Sequence, residues 1–335
     1  MTAMTTLTPL SILDLAPVVE GATTRDALLN SLDLVRLADE LGYQRYWVAE
    51  HHNMEGVASS ATEVLIGQLA AASRHIRVGA GGIMLPNHAP LTIAEQFGTL
   101  AELFPGRIDL GLGRAPGTDR PTMRALRRSL ESSGEDAFPN DVLELQAYLA
   151  PVAEDAVVRA VPGQGTEVPI WLLGSSLYSA QLAAYLGLPF AFASHFAPEL
   201  LMQALQVYRT TYRPSPRHAK PHAMVGLNIV VAPTDEEARF LFTSAQQRFL
   251  GMVRGRRGKL PPPVPGMDAL WTPAEAAQVA RMLSESIVGS PDTVRAGLAA
   301  TRERTQADEL IVACAVHDHA ARRRSYELLA ALDQG

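Results

Sequence analysis

Short apolar runs alternate with amphipathic stretches along nearly the whole chain. The runs Leu10–Leu15, Arg45–Ala49, Ile76–Gly79, Ile108–Gly111, Pro169–Leu173, Phe190–Ala193, Ala223–Val231 and Glu309–Ala313 predict strands. Helical periodicity marks Arg25–Leu41, Ala61–Arg74, Leu91–Phe104, a stretch within Pro139–Leu149, Ser176–Leu186, Pro198–Tyr212, Asp235–Leu250, Pro291–Thr305 and His319–Leu332. The strand candidates are apolar throughout rather than alternating, the pattern of strands covered by helices on both faces. Leu41-Gly42-Tyr43 and Leu186-Gly187-Leu188-Pro189 each read as a helix closed by a glycine just before a strand. Eight strand–helix units predict an α/β fold, a single (β/α)8 TIM barrel over residues 1–335, in preference to an open doubly wound sheet.

Two segments break the rhythm and predict insertion loops at the C-terminal face. Arg114–Phe138 is long, polar and rich in Gly, Pro and Arg, and it follows the fourth strand, where barrels place active-site loops. Gly251–Trp271 carries Arg254-Gly255-Arg256-Arg257-Gly258-Lys259 and then Pro261-Pro262-Pro263. It reads either as a solvated basic loop or as a mobile lid, since long loops in compact domains are often lids.

Composition narrows the class. The 335 residues are 47% apolar and 19% charged, an ordinary globular balance able to bury a large core. A net charge of −6 leaves no basic excess to neutralise phosphates, so no nucleic-acid partner is expected. The one cysteine, Cys314, excludes an internal disulfide and sits in an apolar run, as a buried structural thiol. Met1–Leu10 lacks a basic segment followed by a long apolar core, and no apolar stretch reaches the ~18 residues of a membrane span. The expectation is a cytoplasmic protein with no membrane partner.

The residues able to carry chemistry cluster at predicted strand ends. Glu50-His51-His52 follows the second strand, and a histidine there can move protons near neutral pH; an ordinary core or surface histidine is the plainer reading. Adjacent side chains on an extended segment point oppositely, which works against a metal shared by both rings, and no metal site is assigned. Gly79-Ala80-Gly81-Gly82 ends the third strand, either as a tight turn or as a backbone platform against a flat ligand. Gly111-Leu112-Gly113-Arg114 ends the fourth and offers an arginine suited to phosphate or carboxylate, without the helix a Rossmann turn would open. Gly174-Ser175-Ser176, with Ser179 beyond, leads into a helix: either simple N-capping or a phosphate site of amides, hydroxyls and helix dipole. No G-x-S-x-G elbow appears, which argues against a serine nucleophile. His195, in Ala193-Ser194-His195-Phe196, closes the sixth strand; His317-Asp318-His319 reads as a solvated loop rather than a metal pair.

Taken together the chain resembles the bacterial luciferase-like flavin monooxygenases from Ser11 to about Leu332. The carriers are Tyr46-Trp47-Val48-Ala49-Glu50-His51-His52, Gly81-Gly82-Ile83-Met84-Leu85-Pro86-Asn87-His88-Ala89-Pro90, Gly106 to Arg114, Gly174-Ser175-Ser176, and Val288-Gly289-Ser290-Pro291 before Ala307-Asp308-Glu309-Leu310. The similarity is to the branch with M-L-P-N-H-A-P-L and A-S-H-F. It implies reduced FMN at the C-terminal mouth, used with O2 to oxygenate a small organic substrate. It further implies a separate NAD(P)H-dependent flavin reductase and a homodimer. Matched residue by residue, Gly81-Gly82 corresponds to a non-prolyl cis peptide behind the flavin ring. Arg114, Ser175, Ser176 and Ser179 correspond to the phosphate cradle, Glu50, Gly174 and Ser194 to further cofactor-binding positions, and His51 to the proton-handling histidine. His195 joins His51 as a catalytic candidate. Gly113 stands where luciferase has a reactive cysteine, Ser175 where it has an acidic residue and Ser194 where it has a tryptophan, which argues against aldehyde oxidation with light emission. A deazaflavin-dependent dehydrogenase on the same barrel, or a non-catalytic flavin-binding protein, are the competing readings.

Overall fold

The computed structural model describes residues 8–115, 120–126, 137–151 and 156–332. In chain order the elements are β1 (Leu10–Asp14), α1 (Thr24–Glu40), β2 (Arg45–Val48), α2 (Thr62–Ala72), β3 (Arg77–Met84), a 3-10 turn (Leu85–Asn87), α3 (Pro90–Leu103), β4 (Ile108–Gly113), α4 (Arg120–Leu126) and α5 (Phe138–Leu149). They continue with β5 (Ile170–Gly174), α6 (Leu177–Leu186), β6 (Phe190–Phe192), α7 (Leu201–Thr211), β7 (Ala223–Val231), α8 (Asp235–Val253), α9 (Pro273–Met282), β8 (Ile287–Gly289), α10 (Pro291–Thr305), β9 (Glu309–Ala313) and α11 (His319–Ala331). The strands pair in parallel in the order β6-β5-β4-β3-β2-β1-β9-β7, and β6 also pairs with β7. That last pairing closes the sheet into the expected (β/α)8 barrel.

The local devices follow the sequence. Thr23 and Asp26 form a capping box that starts α1, and Gly187, in left-handed conformation at φ 62°, ends α6. Between the barrel and its helices lies one continuous core that includes Ile12, Leu34, Ile66, Ile83, Phe97, Phe190 and Tyr326. Inside the barrel a second apolar layer gathers Leu13, Trp47, Trp171, Met224 and Ile311, with the two indoles edge to face at 5.3 Å.

Below that layer, at the N-terminal end of the strands, charge replaces hydrocarbon. Asp109 accepts from Arg45 Nη1 at 2.7 Å, Arg77 Nη2 at 2.5 Å and Trp47 Nε1 at 3.2 Å. Arg45 also reaches Glu309 at 3.0 Å, and Glu309 accepts from Ser11. Buried charges persist only when paired and hydrogen-bonded, and this lattice closes the bottom of the barrel, leaving the C-terminal mouth as its open end.

The chain departs from the expected layout in three places. First, β8 was not expected: it pairs with the upper part of β7, Ile229–Val231, while β9 takes the lower part, Met224–Asn228. The long β7 therefore serves the barrel and a small annex of α8, α9 and β8. Second, α9 lies beyond Gly251–Trp271, announced by a capping box of Thr272 and Glu275 with Pro273 at its first position. Third, α8 runs on to Val253, so the first residues of Gly251–Trp271 are helical. The rest of that segment is pinned: Leu260 is buried and exchanges backbone hydrogen bonds with Val18 and Glu20, and Lys259 Nζ donates to Ala22 O at 2.8 Å. Within Arg114–Phe138, α4 is helical, and residues 116–119 and 127–136 lie outside the described set. Residues 1–7, used in the reading of the N-terminus, lie outside it too. Among the described residues no helix is long and apolar enough to cross a membrane.

Candidate active site at the barrel mouth

The residues singled out in the sequence return to one end of the barrel. Glu50 and His51 follow β2, Gly81-Gly82 lies in β3, Arg114 follows β4, Gly174 to Ser179 joins β5 to α6, and Ser194 and His195 follow β6. The Gly81–Gly82 peptide bond is cis, as the resemblance implies. Glycine is required there by contact: a Cβ on Gly82 would lie 2.6 Å from Gly111 O, and one on Gly81 3.0–3.2 Å from Leu13 and Trp47. Glu50 N donates to Gly82 O at 3.0 Å, tying this strand to the segment after β2.

Glu50 ties the segments at the mouth together. It is 1% exposed, and its carboxylate meets His52 Nε2 at 2.7 Å, Met84 N at 2.7 Å, Asn87 Nδ2 at 3.3 Å and His88 Nε2 at 3.0 Å from both oxygens. Burial alone would raise its pKa. The contacts from His88, the Met84 amide and His52 outweigh burial and hold it below the ordinary value. The M-L-P-N-H-A-P-L segment thus has a physical role: its amide, asparagine and histidine neutralise one buried carboxylate and fix the β2 and β3 ends together.

His51 and His52 diverge, as expected of neighbours on an extended segment. His52 turns to Glu50, whereas His51 lies within electrostatic range of His195. Ser60 Oγ donates to His51 O at 2.7 Å and Ser59 Oγ to Ala49 O at 2.6 Å, so the backbone carrying His51 is held on its far side. No group of three or more His, Cys, Asp or Glu side chains among the described residues is arranged to hold a metal ion. His317 and His319 go separate ways, to Glu20 O and Asp33. Cys314 is buried beside Ser325, and burial raises its pKa.

His195 is held neutral. Its Nδ1 is buried without a hydrogen-bond partner, packed where a Cβ on Gly226 would meet it at 2.6 Å. Burial, then the positive charge of Arg248 and of His51, lowers its pKa to about 4. A histidine kept neutral in the fold while the unfolded chain titrates near 6.5 costs stability as pH falls from 6.5 towards 4, and adds no further slope below that. The loss reaches at most about 3 kcal/mol, less for the part of the ring that meets solvent. Denaturant titrations of wild type and His195→Gln across pH 7 to 4 are expected to show a shallower acid decline in the variant; parallel curves would overturn the assignment.

At the β5–α6 junction, Ser176 is the N-cap residue of α6, yet its side chain makes no capping hydrogen bond. Simple N-capping therefore does not account for the serines. A Cβ on Gly174 would fall 2.5 Å from Ser179 Cβ, so the glycine lets the first turn of α6 settle against the end of β5. Ser176 Oγ and Ser179 Oγ stand 3.4 Å apart, and the Arg114 guanidinium stacks on Tyr178 of the same turn at 4.2 Å. Helix-terminal amides, paired hydroxyls and a stacked guanidinium are the donor types that bind anions. Ser194, by contrast, is fully buried and spends its hydroxyl proton on Gly226 O at 2.6 Å.

Residues 9–309 match the luciferase-like monooxygenase family. The chain belongs to that family. A luciferase-like monooxygenase of Escherichia coli strain K12 is 57% identical over 318 residues, 95% of each chain. The structure of apo-MsnO8 superposes with a TM-score of 0.87 at 36% identity, covering 98% of this chain and 99% of the other. The oxygenating constituent of 3,6-diketocamphane monooxygenase from Pseudomonas putida, solved in complex with FMN, shares the fold at a TM-score of 0.73 and 18% identity, covering 96% of each chain. The family is thus a monooxygenase family, and a flavin monooxygenase stands among its structural neighbours.

Two parts of this luciferase-like site escaped sequence reasoning. The partners of Glu50 were visible as a motif, but not as partners, because residues 34 to 38 positions away meet it only through the pairing of β2 with β3. Arg248, which acts on His195, lies inside an amphipathic helix and carries no local signal.

Proposed function

We propose that the protein is a reduced-FMN-dependent monooxygenase that inserts one atom of O2 into a small organic substrate. The observation carrying this reading is the alignment, on one barrel mouth, of a Gly81–Gly82 floor without room for side chains, a set of anion-binding donors at Arg114 and the start of α6, and two neighbouring histidines. A flat cofactor with a phosphate tail fits that arrangement: ring over the glycines, phosphate against the amides and hydroxyls of Ser175, Ser176 and Ser179 and the guanidinium of Arg114. When bound, reduced FMN would supply the two electrons that let one oxygen atom enter the substrate while the other leaves as water. The chain's own residues do the rest. Glu50 fixes the floor through Met84 and His88, and the pinned Gly251–Trp271 segment covers one side of the mouth. We assign to His51 the exchange of a proton at the reacting centre, beside a His195 that stays neutral above about pH 4. A separate NAD(P)H-dependent reductase and a homodimeric assembly are proposed on the family pattern.

The cradle gives a prediction that needs no substrate. Arg114→Ala is expected to weaken FMN binding about 10–100-fold, the worth of charge-assisted hydrogen bonds to phosphate. Riboflavin, which lacks the phosphate, should lose little. Equal losses for both ligands would place Arg114 elsewhere than at the phosphate. For the reaction itself, wild-type protein is given chemically reduced FMN and 18O2 with a panel of ketones, thioethers and aromatic substrates. Single-atom label in a product supports the reading. Tight binding of a deazaflavin with indifference to oxygen favours hydride transfer, and flavin binding with neither behaviour favours a flavin carrier.

A further inference from the structure

Beside the mouth, between the loop after β2 and the last turns of α8, lies a cleft of about 290 Å³. Met54 and Val57 line one wall; Gln247, Arg248, Arg256 and Lys259 line the other. Its charge is one-sided, five cations against the single carboxylate of Glu20. Two of those cations are already engaged: Arg254 pairs with Glu275 at 2.7 Å and Lys259 donates to Ala22 O.

Arg248 is different. It is half-buried, and among the described residues its guanidinium makes no hydrogen bond or ion pair. One helical turn earlier, the fully buried Ser244 has a hydroxyl with no partner, and across the mouth His195 Nδ1 is likewise unpartnered. Residues four apart share a helix face, so Ser244 and Arg248 present one stripe of α8, and Arg248 is close enough to His195 for its charge to act there. Burial without a counter-charge is costly for a guanidinium, and no carboxylate offsets it here.

We propose that this cleft receives the anionic end, a carboxylate or sulfonate, of the monooxygenase's organic substrate, with Arg248 as its ionic anchor and His51 and His195 facing the reacting end. The assignment rests on the monooxygenase reading for the word substrate, but not for the anion site. The volume suits a chain of modest length, below the usual range for drug-sized ligands of roughly 300–1,000 Å³.

The test is calorimetric titration of FMN-loaded protein with sodium octanoate, sodium octane-1-sulfonate and 1-octanol, on wild type, Arg248→Met and Arg248→Lys. Expected is at least about tenfold tighter binding of either anion than of the alcohol in wild type. Arg248→Met should erase that preference, Arg248→Lys should restore part of it, and FMN affinity should stay within about twofold in both. Equal binding of anion and alcohol in wild type, or an undiminished preference in Arg248→Met, overturns the proposal. So does loss of FMN binding in Arg248→Met with its anion preference intact, which would assign the arginine to the flavin phosphate. If octanoate binds through Arg248 while wild type takes up no FMN, the anion site stands and the monooxygenase reading falls.

Discussion

His51→Ala is expected to lower the rate of product formation by about 10²–10⁴-fold, the usual worth of a positioned proton-transfer group, while FMN affinity stays close to wild type. The reason lies in the division between the two histidines. His195, with its pKa lowered to about 4, is a neutral imidazole rather than a cationic acid at neutral pH, and Glu50 is committed to His52, His88 and the Met84 amide. His51 is the remaining histidine of the β2 end, and its charge reaches His195. Its backbone is secured by Ser60, so truncation at Cβ removes the ring without releasing the loop. The readouts are single-turnover product yield from reduced FMN and the FMN dissociation constant, both on the 18O-positive substrate. Unchanged turnover would remove the proton role. A parallel collapse of FMN binding would make His51 a cofactor contact instead.

Much of the architecture was legible because the barrel writes itself into local sequence. Strands buried on both faces are largely apolar, as in Ala223–Val231, where every residue is buried and only Asn228 is polar. Glycine at Gly187 was readable because a left-handed helix end needs it. What escaped was set by non-local partners. Three residues, Ile287-Val288-Gly289, are too few to announce β8, whose existence depends on the surplus length of β7. α9 is signalled locally by Thr272, Pro273 and Glu275, but its ten residues follow directly on a basic and proline-rich stretch that has no helical pattern of its own.

The site divides in the same way. Gly81-Gly82, Arg114 and the serines sit in short motifs with their own chemistry, and the structure brings them to one mouth. Whether a carboxylate such as Glu50 faces a ligand or a neighbouring strand cannot be read from its own segment. The answer lies in Asn87 and His88, which the 3-10 turn delivers to it. The hydroxyl of Ser194 is likewise spent on Gly226, a residue of the neighbouring strand. Position at a strand end was thus readable for both, and orientation was not.

Asp14→Ala is expected to destabilise the fold by about 3–5 kcal/mol, the cost of leaving a buried arginine uncompensated. Asp14 is fully buried at the end of β1, and one carboxylate serves three elements. Arg322 of α11 meets Oδ1 at 2.6 Å, where Ala16 N also donates at 2.9 Å, while Ser31 of α1 and Tyr46 of β2 donate to Oδ2. Burial raises its pKa; the Arg322 charge and the hydrogen bonds of Ser31 and Tyr46 oppose this, and the net is a lowered value. The carboxylate therefore stabilises the fold above its unfolded pKa of about 4, and that contribution is lost as pH falls through the lower folded value. Without Asp14, Arg322 keeps the Cys314 carbonyl, at 3.2 Å, and its contact with the Tyr326 hydroxyl, neither of which carries a compensating charge. Urea unfolding of D14A, R322M and the double variant distinguishes this cost from simple cavity formation. The double variant should recover most of the loss, because removing both charges also removes their burial penalty. Additive losses, or a D14A stability within about 1 kcal/mol of wild type, would mean that the pair contributes little. Such a result would leave the apolar core between α1, α11 and β1 to hold this side of the barrel by packing alone.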